Sequence, residues 1–67
     1  MITNRIKTLR FAADQMSQQA LADEVGVTRQ TINAIEGDKY SPSLEVAFRI
    51  AAVFEVAVDE VFAWEPD

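Results

Sequence analysis

The sequence predicts an all-α fold of five short helices, and three observations carry that prediction. Apolar residues recur at intervals of three and four, as at Ile2, Ile6, Leu9 and Ala13 near the start and Leu44, Ala47 and Ala51 further on. Ser17, Thr28 and Ser43 each precede such a run, where a side-chain hydroxyl can accept a backbone N–H of the first turn. The 67 residues contain no cysteine and no histidine, so disulfides and the usual zinc ligand sets are excluded and apolar packing has to hold the fold. At this length one domain, residues 1–67, is expected, near the lower limit for folding unaided.

The first helix is expected over about Thr3–Ala13. Ile2, Ile6, Leu9 and Ala13 form its buried stripe, and Phe11 lies off that stripe, partly exposed or laid over a neighbouring loop. Asp14 to Met16 link it to a second helix capped by Ser17, with Leu21, Ala22 and Val25 on one face and Gly26 at its end. Thr28 caps a third helix on which Ile32 and Ile35 point back toward the second while Arg29, Gln30, Thr31, Asn33 and Ala34 take other directions.

These two helices have a spacing stricter than amphipathicity requires. Counting from Gln18, a small residue stands at +4 (Ala22), glycine at +8 (Gly26), and β-branched apolar residues at +14 and +17 (Ile32 and Ile35). Ala22 lies where helices crossing at about 90–120° come closest, and Gly26 lies where a helix C-terminus favours left-handed backbone. That is the pattern of a helix-turn-helix over about 17–37, and it points to DNA; two packed helices without DNA contact are the plainer alternative.

Gly37, Asp38, Tyr40, Ser41 and Pro42 then break the helix. Ser43 caps a fourth over about Leu44–Phe54, whose wide apolar face of Leu44, Ala47, Phe48, Ile50, Ala51 and Phe54 is expected at the centre of the core. Phe48, Phe54 and Phe62 are all expected to be buried. A short fifth helix is expected from Ala57 to about Phe62, with Asp59 and Glu60 suited to its first turn; the β-branched stretch Val53–Val61 also reads as a strand. Trp64 follows among Glu65, Pro66 and Asp67, where an aromatic often marks an interface.

A net charge of −5 at first disfavours a nucleic-acid partner, since Lys and Arg make most phosphate contacts. The distribution alters that reading. Up to residue 39, Arg5, Lys7, Arg10, Arg29 and Lys39 balance Asp14, Asp23, Glu24, Glu36 and Asp38, so the whole excess falls in the C-terminal part. Modest non-specific affinity and a shallow salt dependence are expected. Half the residues are hydrophobic (49%), but no apolar run nears about 18 residues and no amino-terminal signal pattern is present, so a soluble cytoplasmic protein is expected.

With the motif and its flanking helices placed, the chain resembles, over nearly its whole length, the small XRE-type DNA-binding domains, the class that includes phage repressor and Cro proteins. The run TRQTINAIEGDKYSPSLEVAFRIAAVFEV, residues 28–56, resembles a subgroup of compact stand-alone regulators, without gaps. The resemblance implies a five-helix lambda-repressor-like fold, a homodimer and a transcriptional repressor bound to a two-fold operator, with no cofactor, metal or small-molecule ligand.

Residue roles follow from the resemblance position by position. Gln18 matches a residue that hydrogen-bonds a DNA phosphate and braces the recognition helix. Thr28, Arg29, Gln30 and Thr31 match the amino-terminal end of that helix, which enters the major groove, and Asn33 and Ala34 lie one turn on. The chemistry agrees, since Arg can pair with guanine, Gln with adenine, and an Ala methyl can touch thymine. Lys39 and Tyr40 are placed to grip the backbone. Arg10 and Glu36 match an ion pair joining the first helix to the third, worth about 0–1 kcal/mol if exposed. Without the motif, Arg29 and Gln30 would read as solvated helix residues and Tyr40 as a ring over its loop.

Two positions depart from the family pattern. One residue more than usual separates Arg10 from Gln18, and Asp14 or Gln15 stands where the family ends the first helix with glycine. Glu55 likewise replaces the glycine after the fourth helix, and a non-glycine residue held left-handed costs about 1–2 kcal/mol. Two other functional classes stay open: the same fold used as an antitoxin-like or adaptor module whose acidic half and Trp64 face another protein, and an enzyme. The last has the least support, since neither a nucleophile motif nor a pocket-forming length accompanies the carboxylates.

Overall fold

A computed structural model describes residues 1–66; Asp67, counted above in the acidic part, lies outside them. The element order is β1 (Ile2–Asn4), α1 (Ile6–Ala12), α2 (Gln18–Val25), α3 (Arg29–Glu36), α4 (Leu44–Val53), α5 (Val58–Val61) and β2 (Phe62–Trp64). All five expected helices form. Ser17, Thr28 and Ser43 cap α2, α3 and α4, each side-chain oxygen accepting the backbone N–H three residues on.

The two-stranded antiparallel sheet corrects both ends of the expected helical layout. Ile2 pairs with Trp64, Thr3 with Ala63 and Asn4 with Phe62, so Thr3 and Asn4 are strand and not helix, and Phe62 leaves the fifth helix after Val61. The stripe from Ile2 through Ile6 fits a helical period, but pairing across the whole chain satisfies the terminal backbone instead. α1 then starts at Ile6, whose N–H is accepted by the Asn4 side chain at 3.1 Å. The stretch Val53–Val61 is not a strand: Val53 ends α4 and Val58–Val61 is α5, opened by Glu60 accepting the Ala57 N–H at 2.9 Å.

Ile6, Leu21, Ala22, Val25, Ile32, Ile35, Ala47, Ile50, Ala51, Val61 and Phe62 make one core. Within it α2 packs on α3 and α4, and α4 packs on α5. Ala22 is fully buried as its place in the motif requires. The expected burial of Leu44 and Phe48 does not occur: they are 73% and 58% exposed, while Phe54 is half-buried against the core and Phe62 is buried. The apolar arc of α4 is wider than its neighbours cover. Ala47, Ile50 and Ala51 face inward, and Leu44 and Phe48 project past the edge.

Left-handed residues end the first four helices, and one of them is glycine. After α2 it is Gly26, with φ of 87°. The carbonyl of Ala22 there accepts from Gly26 and Val27, which closes the turn of the helix-turn-helix. After α1, Asp14 and Gln15 take φ of 61° and 59°; after α3, Asp38 takes 59°, one residue past Gly37; after α4, Glu55 takes 57°. The two departures from the family glycines therefore keep the glycine-like backbone with a side chain attached.

Candidate nucleic-acid interface

The Ser17 cap, the Gly26 turn and the Thr28 cap hold α2 and α3 at their crossing, and buried Ile32 and Ile35 fix the rotation of α3. That rotation turns Gln30, Asn33 and Ala34 away from the core. Arg29, Gln30 and Asn33 are exposed, and Ala34 is half-buried. Among the described residues, the side chains of Arg29 and Gln30 have no hydrogen-bond partner and are free to meet one. Thr28 and Thr31 serve the helix: the Thr28 hydroxyl oxygen accepts the Thr31 N–H at 3.1 Å, and the two hydroxyls share a hydrogen bond of 2.9 Å.

Beside the carboxyl-terminal half of α3 lies an open polar cavity of about 480 Å³, walled by Lys7, Arg10, Gln18, Asn33, Glu36, Gly37 and Lys39. It brings together Gln18, Asn33 and Lys39 from the expected site. Exposed Tyr40 follows Lys39 but does not line it. Gln18 donates through Nε2 to Asn33 Oδ1 and to Glu36 Oε1, both at 3.2 Å, so its side chain ties α2 to α3. With that amide nitrogen engaged, the donors left over at this end of α2 are the backbone N–H groups of Gln18 and Gln19, unpaired at the helix start.

Arg10 and Glu36 form the ion pair implied by the resemblance, but buried rather than exposed. Arg10 Nε donates to Glu36 Oε2 at 2.7 Å, Nη2 to Oε1 at 3.1 Å, and Nη1 to the Met16 carbonyl at 2.7 Å. Both side chains are 9% exposed, and the Phe11 ring lies under the guanidinium, 5.6 Å from its centroid. The pair cancels its own charge, so Lys7 and Lys39 remain as the net cations of the cavity wall.

Lys7 is the site residue that sequence reasoning missed. It stands one helical turn before Arg10, and an arginine reaching α3 from α1 places a residue three positions earlier on the same side.

A helix-turn-helix family profile matches residues 6–61, from the first residue of α1 to the last of α5. This chain belongs to the XRE-type helix-turn-helix family. Relatives of this XRE-type protein include an uncharacterized HTH-type transcriptional regulator of Methanocaldococcus jannaschii, 47% identical over 64 residues and 96% of both chains. A second, from Bacillus subtilis, is 44% identical over 64 residues, again 96% of each. The fold is similar to the crystal structure of a candidate DNA-binding protein from Bacteroides fragilis, at a TM-score of 0.80 and 28% identity, covering 94% of this chain and 100% of that one. Family and relatives point to DNA-binding regulators rather than enzymes. The β-ribbon lies outside the family match, and no helix among the described residues is long and apolar enough to cross a membrane.

Proposed function

We propose that this XRE-type protein is a sequence-specific transcriptional repressor of the cytoplasm, acting as one domain per chain and as a homodimer on a two-fold operator. The observation that carries the reading is the division of labour at α3: Arg29 and Gln30 are exposed and free, while Thr28, Thr31 and Gln18 are committed to holding the helix. A base-reading side chain has to arrive unpaired and on a rigid support. Arg29 and Gln30 read base edges; one turn on lie Ala34 and Asn33, whose Oδ1 accepts from Gln18 while its amide N–H groups stay free to donate, and Thr28 and Thr31 preserve the helix end. The Gln18 backbone amide, Lys39, Tyr40 and the added Lys7 hold phosphates. With two lysines on the cavity wall, affinity leans on base contacts and dimerisation more than on charge.

Selection from random duplex DNA followed by sequencing tests this reading, and a two-fold site with half-sites about one helical turn apart is the expected result. Failure to enrich any sequence at low salt would overturn it in favour of a protein-interaction module.

A further inference from the structure

One side chain joins the start of the chain to the far end of α3. Asn4, in β1, has its backbone fixed by pairing with Phe62 across the ribbon. Its Oδ1 accepts the Ile6 N–H at 3.1 Å, at the start of α1. Its Nδ2 donates to the Ile35 carbonyl at 2.8 Å, in the last turn of α3, and to Asp38 Oδ1 at 3.1 Å, just beyond that helix. Only this orientation of the amide serves all three partners, because Ile6 offers an N–H and the other two offer oxygens.

Capping α1 alone needs an acceptor and nothing more, and Ser or Asp supplies one as well as Asn does. What Asn adds is a pair of donated hydrogen bonds, and both go to the end of α3. The Ile35 carbonyl already accepts the Asp38 N–H at 3.1 Å, so Asn4 is not there to satisfy a stranded group. Its effect is geometric. Asp38, left-handed with φ of 59°, is held by its backbone N–H on one side and by its side chain on the other. Lys39 follows directly: its N–H donates to the Ala34 carbonyl at 3.0 Å, and the residue walls the polar cavity together with Lys7.

From these contacts, and resting on the reading of Lys39 as a phosphate-binding residue, we infer that Asn4 is a positioning residue for DNA binding. Through Asp38 and the Ile35 carbonyl it holds Lys39 where that lysine meets the backbone of the duplex. The Arg10–Glu36 pair secures α3 up to its last residue, and Asn4 secures the turn that follows. A fixed backbone matters for lysine because its long stem already loses rotamer freedom on binding, and a loose turn would add to that cost. Arg29 and Gln30 lie at the opposite end of α3, so loss of the link should weaken all duplexes alike and leave base discrimination as it is.

The experiment measures what Lys39 contributes in different Asn4 backgrounds, by titrating the full chain with random duplex DNA at several salt concentrations. Asn4→Ser and Asn4→Asp each keep an oxygen for the Ile6 N–H but cannot donate to α3, Ser being too short and Asp lacking a donor; circular-dichroism melts check that they fold. In the wild type, Lys39→Ala should reduce the slope of log affinity against log salt by about one per protomer, a change of about 3.5-fold in the affinity ratio between about 50 and about 200 mM salt. In either Asn4 variant the same substitution should change that ratio by less than about 1.5-fold. Combining Asn4→Asp with Asp38→Asn exchanges donor and acceptor, keeps the net charge of −5, and should restore the contribution of Lys39. A purely structural Asn4 would lower the melting temperature and leave the Lys39 effect undiminished in the single variants; that result, or an exchange that fails to restore the effect, overturns this inference alone. A wild type that binds no duplex, or whose salt slope ignores Lys39→Ala, overturns the phosphate reading of Lys39 and this inference with it.

Discussion

Replacing Glu55 by glycine should stabilise this protein, because Glu55 holds φ of 57° at the end of α4. The backbone there follows the pattern that usually employs glycine: the Glu55 N–H donates to Ala52 and the Val56 N–H to Ala51. Relieving a left-handed non-glycine residue returns about 1–2 kcal/mol. Removing a carboxylate from the negative end of a helix adds about 0.3 kcal/mol or more at an exposed site. Against this, glycine enlarges the unfolded ensemble at a cost of about 0.4–1 kcal/mol. The Glu55 side chain also lines a shallow cleft with Leu9, Ala13 and Phe54, so losing its stem takes back a little packing.

The net gain is about 1 kcal/mol, or about 4–8 °C in Tm for a domain of this size. Thermal melts followed by circular dichroism and by Trp64 fluorescence measure it. Glu55→Ala is the control, since it removes the charge and keeps the Cβ in left-handed backbone. An unchanged or lower midpoint for Glu55→Gly refutes the strain argument, and an equal gain for Glu55→Ala reassigns the effect to charge.

Arg29→Ala should cost about 1–3 kcal/mol on the selected operator and relax discrimination at one base pair, measured by titration against single-base variants. Equal losses on operator and random DNA would remove its base-reading role. Lys7→Ala and Lys39→Ala should instead weaken all duplexes alike and reduce the slope of log affinity against log salt by about one per protomer, read from binding at several salt concentrations. Arg10→Ala and Glu36→Ala should each cost about 3–5 kcal/mol in denaturant melts, because each strands the other's charge in a site 9% exposed. The double substitution should cost less than the sum. Gly26→Ala should lower the melting temperature although a Cβ there would meet Arg49 Nη1 only at 3.5 Å, since φ of 87° rather than crowding is what it violates.

Much of the site was legible in the sequence because its determinants are local. Ser17 and Thr28 each cap a helix through a contact three residues away, Gly26 turns the chain where it stands, and Ile32 with Ile35 sets the face of α3 by helical period. Arg10 with Glu36 was legible only through family resemblance, since nothing within either helix announces a partner 26 residues away. Lys7 escaped because a lysine on an exposed helix face carries no signal until α3 is packed beside it.

By itself, then, the sequence determined the five helices, their caps and the helix-turn-helix, all set by interactions within one or two turns. The tertiary structure alone decided three further features. It joined the chain ends into a ribbon, pairing Ile2 with Trp64 through hydrogen bonds that no local pattern encodes. It buried the Arg10–Glu36 pair, turning a surface contact into a constraint on the angle of α3. And it left Leu44 and Phe48 in the open, because burial depends on how much neighbouring surface is available and not on how apolar a helix face is.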